Sequence, residues 1–302
     1  MRVFVTGASG WIGSAAVHEL LAAGHDVVGL ARSEASAASL AAIGVQVRRG
    51  DLDDLAALRA GAADADAVLH LAFKHDFSDM AGSGRTERAA VEAFGDVLAG
   101  SGRPLLLASG IAGVAPGRLL TEDLPSPYAD PDAPRGASET YALGLAARGV
   151  RPVAIRFAPT VHGVGDHGFV AELVRVARER GVAGYVGDGS DRWPAVHRSD
   201  AGRLVALALA RAAAHGDVPV VHAVGEEAVP ARDIAEAIGR AVGVPAASVA
   251  AEDAQAHFGW IGGFFGLDLP ASSALTRERL GWRPTGPTLL EDLAAGAYAP
   301  ER

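Results

Sequence analysis

Cysteine is absent from the 302-residue chain, and that single absence excludes disulfides, thiolate zinc sites and a cysteine nucleophile. Lysine is nearly absent too: 26 of the 27 basic residues are arginine and the only lysine is Lys74, a bias that a GC-rich genome also produces. Basic charge is outweighed, with a net charge of −9 and a pI near 5.6, so the chain lacks the positive excess that neutralises phosphate backbones and a nucleic-acid partner is not expected. Apolar runs are short and broken by glycine, and the chain begins directly with a strand-like segment, so neither a membrane partner nor a leader is expected and a cytoplasmic location follows. Any metal would have to rest on histidine and carboxylate, and none is expected.

What is present is ordinary globular composition, with 49% hydrophobic and 21% charged residues, over a length that predicts two lobes sharing one fold. Arg2 to Thr6 is a β-branched and aromatic run, followed by Gly-Ala-Ser-Gly and a helical pattern closing on Gly24. Strands are then predicted at 26–30, 45–49, 67–71, 104–108 and 152–157, separated by helices through Ile43, through Ala60, over 85–99 and over 138–148. Strands that read as unbroken apolar runs between helices predict a parallel sheet covered on both faces. The expected class is therefore α/β, a Rossmann-type doubly wound sheet over 1–160 with a smaller, mainly substrate-binding lobe over 161–302. Helices over 169–180, 201–213 and 231–242 and a strand near 193–197 belong to that second part, with 218–223 returning to the main sheet.

Gly7-x-x-Gly10-x-x-Gly13 lies between the first strand and the first helix. Its glycines permit a tight turn, close approach of a pyrophosphate and close packing of helix on strand, while the N–H groups of Trp11 and Ile12 face the anion at the positive helix end. The same stretch, TGASGWIG, together with GDLDD at 50–54, HLA at 70–72, RFAPTVHG at 156–163 and LGWRP at 280–284, resembles the extended and atypical short-chain dehydrogenase/reductases, which include the NAD-dependent epimerase/dehydratase family. The resemblance implies that Asp51 and Leu52 sit at the adenine, Ala72 along the cofactor, Pro159, Thr160 and Val161 near the nicotinamide, and that the chain forms a homodimer. Lys74 resembles a cofactor-contacting lysine of some sugar-epimerase relatives. The second strand ends Gly29-Leu30-Ala31-Arg32 without a carboxylate, and a planar guanidinium at Arg32 suits a 2′-phosphate, so NADP(H) is expected before NAD(H).

Reductases of this superfamily use a Tyr-x-x-x-Lys pair on one helix. With Lys74 as the only lysine, preceded four residues earlier by His70, the pair cannot exist here. Counting back from RFAPTVHG, Arg135 falls in the tyrosine position and Glu139 in the lysine position; Tyr141, some 200° further around a helix, faces away. Tyr128, in the Pro-rich loop before this helix, reads either as a loop tyrosine or as an acid. Ser109 ends the fifth strand one residue before the position of the family's serine, which Gly110 occupies. His162 and His167 lie in the loop after the sixth strand, where a histidine can replace a phenol as general acid, while His70 reads as a core histidine and His75 follows the fourth strand at the same ligand edge. Arg135 alternatively polarises a carbonyl or holds a carboxylate. The aromatic run 257–265 is read as core, or as an apolar wall for a hydrophobic ketone.

These readings favour an NADP(H)-dependent oxidoreductase that reduces a small, apolar carbonyl or related compound by hydride transfer with a non-tyrosine proton donor, its partner a small-molecule substrate. A nucleotide-sugar epimerase or dehydratase and a non-catalytic NADP(H)-binding sensor are the alternatives.

Overall fold

A computed structural model describes residues 1–76, 79–214 and 218–299. In chain order the first part runs β1 (Arg2–Thr6), α1 (Trp11–Ala22), β2 (Asp26–Ala31), α2 (Glu34–Ala42), β3 (Gln46–Arg49), α3 (Leu55–Ala63), β4 (Ala67–His70), α4 (Met80–Leu98), β5 (Pro104–Gly110), α5 (Ser138–Gly144) and β6 (Arg151–Phe157). The second part runs β7 (Thr160–His162), α6 (Phe169–Arg180), β8 (Ala183–Val186), β9 (Arg192–His197), α7 (Arg198–Ala214), β10 (Val220–Ala223), β11 (Glu226–Pro230), α8 (Ala231–Val242), β12 (Ala246–Val249), α9 (Ala254–Phe258), α10 (Gly262–Phe265), α11 (Ala274–Leu280) and α12 (Leu289–Ala294).

Seven parallel strands form one sheet in the order β10-β6-β5-β4-β1-β2-β3. The strand order reverses between β1 and β4, which is the point where open parallel sheets bind ligands at their carboxyl ends. The pleat sorts side chains between two layers. Val3, Val5, Leu69, Leu106 and Ile155 pack with α1 and α7 on one face, and Phe4, Val68, Leu105 and Leu107 pack with α3, α4 and α5 on the other. This is the Rossmann-type architecture read from the sequence.

The return to the main sheet is longer than the segment 218–223 suggests. Besides β10, which pairs with β6, α7 buries Ala201, Leu204, Val205, Ala208 and Leu209 in the core shared with α1. Its alanine-rich, small-residue face permits that close packing; Gly202 lies against Ala15, where an added Cβ would come within 2.9 Å of backbone. Asp200 fixes the helix entry, accepting the N–H groups of Thr285 at 2.9 Å and Gly286 at 2.8 Å while its own carbonyl takes the Trp282 indole, so the LGWRP stretch is structural. The remaining lobe has its own core, in which Trp193, Phe258, Ile261 and Phe265 are buried. The aromatic run is therefore mostly core, with Trp260 exposed at its edge.

Candidate functional site

The glycine turn is built as its spacing requires. Gly7 adopts φ +71°, and a Cβ there would lie 2.7 Å from the Ala72 nitrogen; a Cβ on Gly13 would lie 1.9 Å from the Gly7 carbonyl oxygen. Only glycine fits this cradle, which brings β1, the start of α1 and the end of β4 together. Helix α1 opens at Gly10 with no side-chain cap, leaving its first N–H groups, those of Trp11 and Ile12, oriented for an anion. The residues fit a dinucleotide pyrophosphate. Trp11 anchors the turn to the second part of the chain: its indole donates to the Val161 carbonyl at 2.7 Å, its ring lies under the Arg198 guanidinium at 4.3 Å, and Arg198 also donates to the Trp11 carbonyl at 2.7 Å. Thr160 is buried and donates to the Pro194 carbonyl at 2.5 Å; Pro159 precedes it between β6 and β7.

After β3, Asp51 accepts the N–H groups of Asp53 at 2.9 Å and Asp54 at 3.1 Å, shaping a tight turn, and Leu52 is buried beneath it. Lys74 reaches back to both oxygens of Asp53 at 2.7 Å, so the lone lysine belongs to this edge. Arg32 is exposed after β2; the neighbouring Ser33 caps α2, and Arg49 rather than Arg32 donates to its carbonyl.

The positions of the missing catalytic pair do not share a helix. A 3-10 turn over Pro134–Ala137 precedes α5, and Arg135 (φ 56°) and Ala137 (φ 48°) are both left-handed non-glycine residues, a conformation that costs about 1–3 kcal/mol each and needs surrounding contacts to hold it. Those contacts are present. Arg135 pairs with Glu87 of α4, donates to the Ala108 carbonyl at 2.9 Å, and covers the Phe73 ring at 4.4 Å. Burial raises the Glu87 pKa, opposed by the adjacent Arg135 charge. Glu139 receives the fully buried Arg156 of β6, whose Nε lies 3.0 Å and Nη2 2.5 Å from Oε1. Ser109 donates to the other Glu139 oxygen at 2.6 Å. Neither position thus presents a free charge to a ligand.

The remaining candidates separate cleanly. Tyr128 donates its hydroxyl to the Gly113 carbonyl at 3.1 Å, which makes it a brace for the loop after β5. His162 is completely buried, with Nδ1 2.6 Å from Asp292 on α12 and its ring 5.5 Å from that of His197. His167 is exposed, its ring edge-on to Trp11 at 5.7 Å. His70 is buried against Thr6 at 2.7 Å, where burial, helped by the Arg135 charge, pushes its pKa down to about 3 and favours the neutral ring. Sequence reasoning underrated His75, whose pKa is lowered by burial and then by Arg135 and His167; it lies in the field of both at the carboxyl edge. Glu87 and Arg156 were missed altogether, although an arginine inside the apolar strand RPVAIRF already demands a buried acid.

The model of the NAD dependent epimerase/dehydratase family matches residues 3–221, and the chain belongs to that family. It is 47% identical over 299 residues to an uncharacterized protein of Schizosaccharomyces pombe, covering 99% of this chain and 100% of the relative. It is 30% identical over 190 residues to the 4-hydroxy-2-methyl-3-oxo-4-farnesyl-3,4-dihydroquinoline-1-oxide ketoreductase of Stigmatella aurantiaca, covering 60% of this chain and 56% of that one. Among solved structures, MoeE5 in complex with UDP-glucose and NAD is similar with a TM-score of 0.73 and 25% identity, over 98% of this chain and 97% of that chain.

Proposed function

We propose that this member of the NAD dependent epimerase/dehydratase family is an NADP(H)-dependent oxidoreductase that interconverts a small, apolar carbonyl compound and its alcohol, with a proton donor other than tyrosine. One observation carries the reading: where the family resemblance expects a phenol and a lysine, Arg135 and Glu139 stand on either side of a helix break and are neutralised by Glu87 and Arg156. A cycle that opens with tyrosine-assisted oxidation of a sugar hydroxyl has no phenol at that place. The relative named as a ketoreductase supports reduction of a ketone.

A nicotinamide dinucleotide supplies hydride exchange when bound. The chain's own residues would hold it at the Gly7, Gly10 and Gly13 cradle with the N–H groups of Trp11 and Ile12, at Asp51 and Leu52, along Ala72, and at Pro159, Thr160 and Val161. Arg32, exposed and tied to no other side chain among the described residues, would pair with a 2′-phosphate. His167, with His75 beside Arg135, supplies the titratable groups of the carboxyl edge and moves the proton. A cytoplasmic homodimer is part of the same reading. The nucleotide-sugar reading is favoured by MoeE5, whose complex holds UDP-glucose and NAD. Dissociation constants for NADPH and NADH decide the cofactor: NADPH binds more tightly under this proposal, and equal or tighter NADH binding overturns it. Exposure to a nucleotide-sugar panel separates the two activities, since epimerised or dehydrated sugar would establish the second.

A further inference from the structure

Arg32 follows β2, and a second arginine, Arg49, closes the neighbouring strand β3, where the parallel register sets it directly beside Ala31. Arg49 reaches across to the segment between β2 and α2. Its Nη1 donates to the Ser33 carbonyl at 2.8 Å, and its Nη2 lies 3.1 Å from Glu34 Oε1. The two contacts differ in kind. The first ties the guanidinium to the backbone of the residue next to Arg32. The second joins a Glu34 side chain that is 93% exposed to an Arg49 side chain that is 48% exposed, and an ion pair so open to water contributes little. Rossmann-type folds place the 2′ position of the adenosine ribose at the end of the second strand, so Arg49 grips, from β3, the segment that receives the ribose.

We propose that Arg49 is the second arginine of the 2′-phosphate site and that Glu34 competes with the phosphate for it. On binding NADP(H), Arg49 keeps Nη1 on the Ser33 carbonyl and turns Nη2 from Glu34 to the phosphate, so no backbone has to move. The exchange replaces one exposed carboxylate charge by a phosphate monoester carrying close to two at neutral pH. The planar fork of a guanidinium allows this division between two acceptors, which a single ammonium does not. Glu34 acts in the opposite sense: it occupies Arg49 and repels a 2′-phosphate, whereas the uncharged 2′-hydroxyl of NAD(H) meets neither effect. The inference rests on the NADP(H) reading and adds to Arg32 a contact from a different strand and an opposing acid.

Fluorescence titration of the full chain with NADPH and with NADH, cofactors that differ only in the 2′-phosphate, tests this without any substrate. Arg49→Met should weaken NADPH binding about tenfold, as for loss of one hydrogen bond to a charged group, and leave NADH binding within about twofold. Glu34→Gln should tighten NADPH binding about threefold with NADH again unchanged, and that gain should shrink when Arg49→Met is present as well. An Arg49→Met protein with the native ratio of NADPH to NADH affinity, whether both constants hold or both weaken together, overturns the assignment of Arg49. A Glu34→Gln protein that binds NADPH no more tightly than the native chain overturns the competition. The native chain separates the two levels of the argument: a preference for NADH overturns the NADP(H) reading and this site with it, whereas a preference for NADPH that survives Arg49→Met overturns this site alone.

Discussion

Arg156 occupies a strand position between two apolar neighbours and is wholly buried, so its charge is tolerated only because Glu139 answers it from α5. Removing one member of such a pair leaves an uncompensated buried charge, at about 3–5 kcal/mol, whereas replacing both by apolar residues can be neutral. Arg156→Met should therefore lower stability by about 3–5 kcal/mol in urea unfolding, and Arg156→Met combined with Glu139→Met should recover much of it. Two histidines separate in the same way. His167→Ala should cut turnover by two to four orders of magnitude, as for loss of a general acid, and an unchanged rate would remove it from the chemistry. His162→Ala should leave turnover nearly intact but cost about 1–3 kcal/mol of stability, because Asp292 loses its buried partner. The sequence could show that tyrosine and lysine were missing, since that needs only counting. It could not show that Glu87 and Arg156 neutralise the residues standing in their place, because pairs 48 and 17 residues apart along the chain are made by the fold.

The glycine turn was readable as an element because each glycine has a geometric reason that spacing alone expresses. Gly13→Ala tests it: with a Cβ 1.9 Å from the Gly7 carbonyl oxygen, the turn must open, and binding of NADPH should fall at least tenfold in a fluorescence titration. Unchanged affinity would mean that the turn does not form the cofactor cradle. Helix α4 was less readable. It begins at Met80, capped by Asp79, whose side chain accepts the Gly82 N–H at 2.8 Å, whereas the apolar pattern suggested a start at Arg85. Gly82 and Gly84 lower helix propensity, and tertiary packing of Ser83 and Gly84 in the interior overrides it. The start of α5 at Ser138 was readable after the Pro-rich loop, but the left-handed backbone at Arg135 and Ala137 was not, because the Arg135 contacts hold it at residues that are not glycine.

At the scale of the whole molecule, the alternation of apolar strands and helices was enough to give the parallel sheet and its ligand edge. The boundary of the second part was not, because α7 looks locally like any alanine-rich helix and only its packing on α1 assigns it to the first core. The buried His70 makes a global prediction. Its folded pKa lies near 3 against 6.5 unfolded, so only the unfolded chain takes up this proton as the pH drops. Stability from this residue is intact above 6.5 and is lost toward pH 3, at up to about 1.4 kcal/mol per pH unit. Urea midpoints between pH 7 and 4 should fall less steeply in His70→Asn than in the native protein.

NADPH consumption across a panel of small apolar aldehydes and ketones tests the central claim most directly. Oxidation of NADPH by at least one of them, faster than that of NADH and retained in Tyr128→Phe, is the predicted result. Tight NADPH binding with no consumption on any carbonyl would contradict it and leave a cofactor-binding protein without this activity.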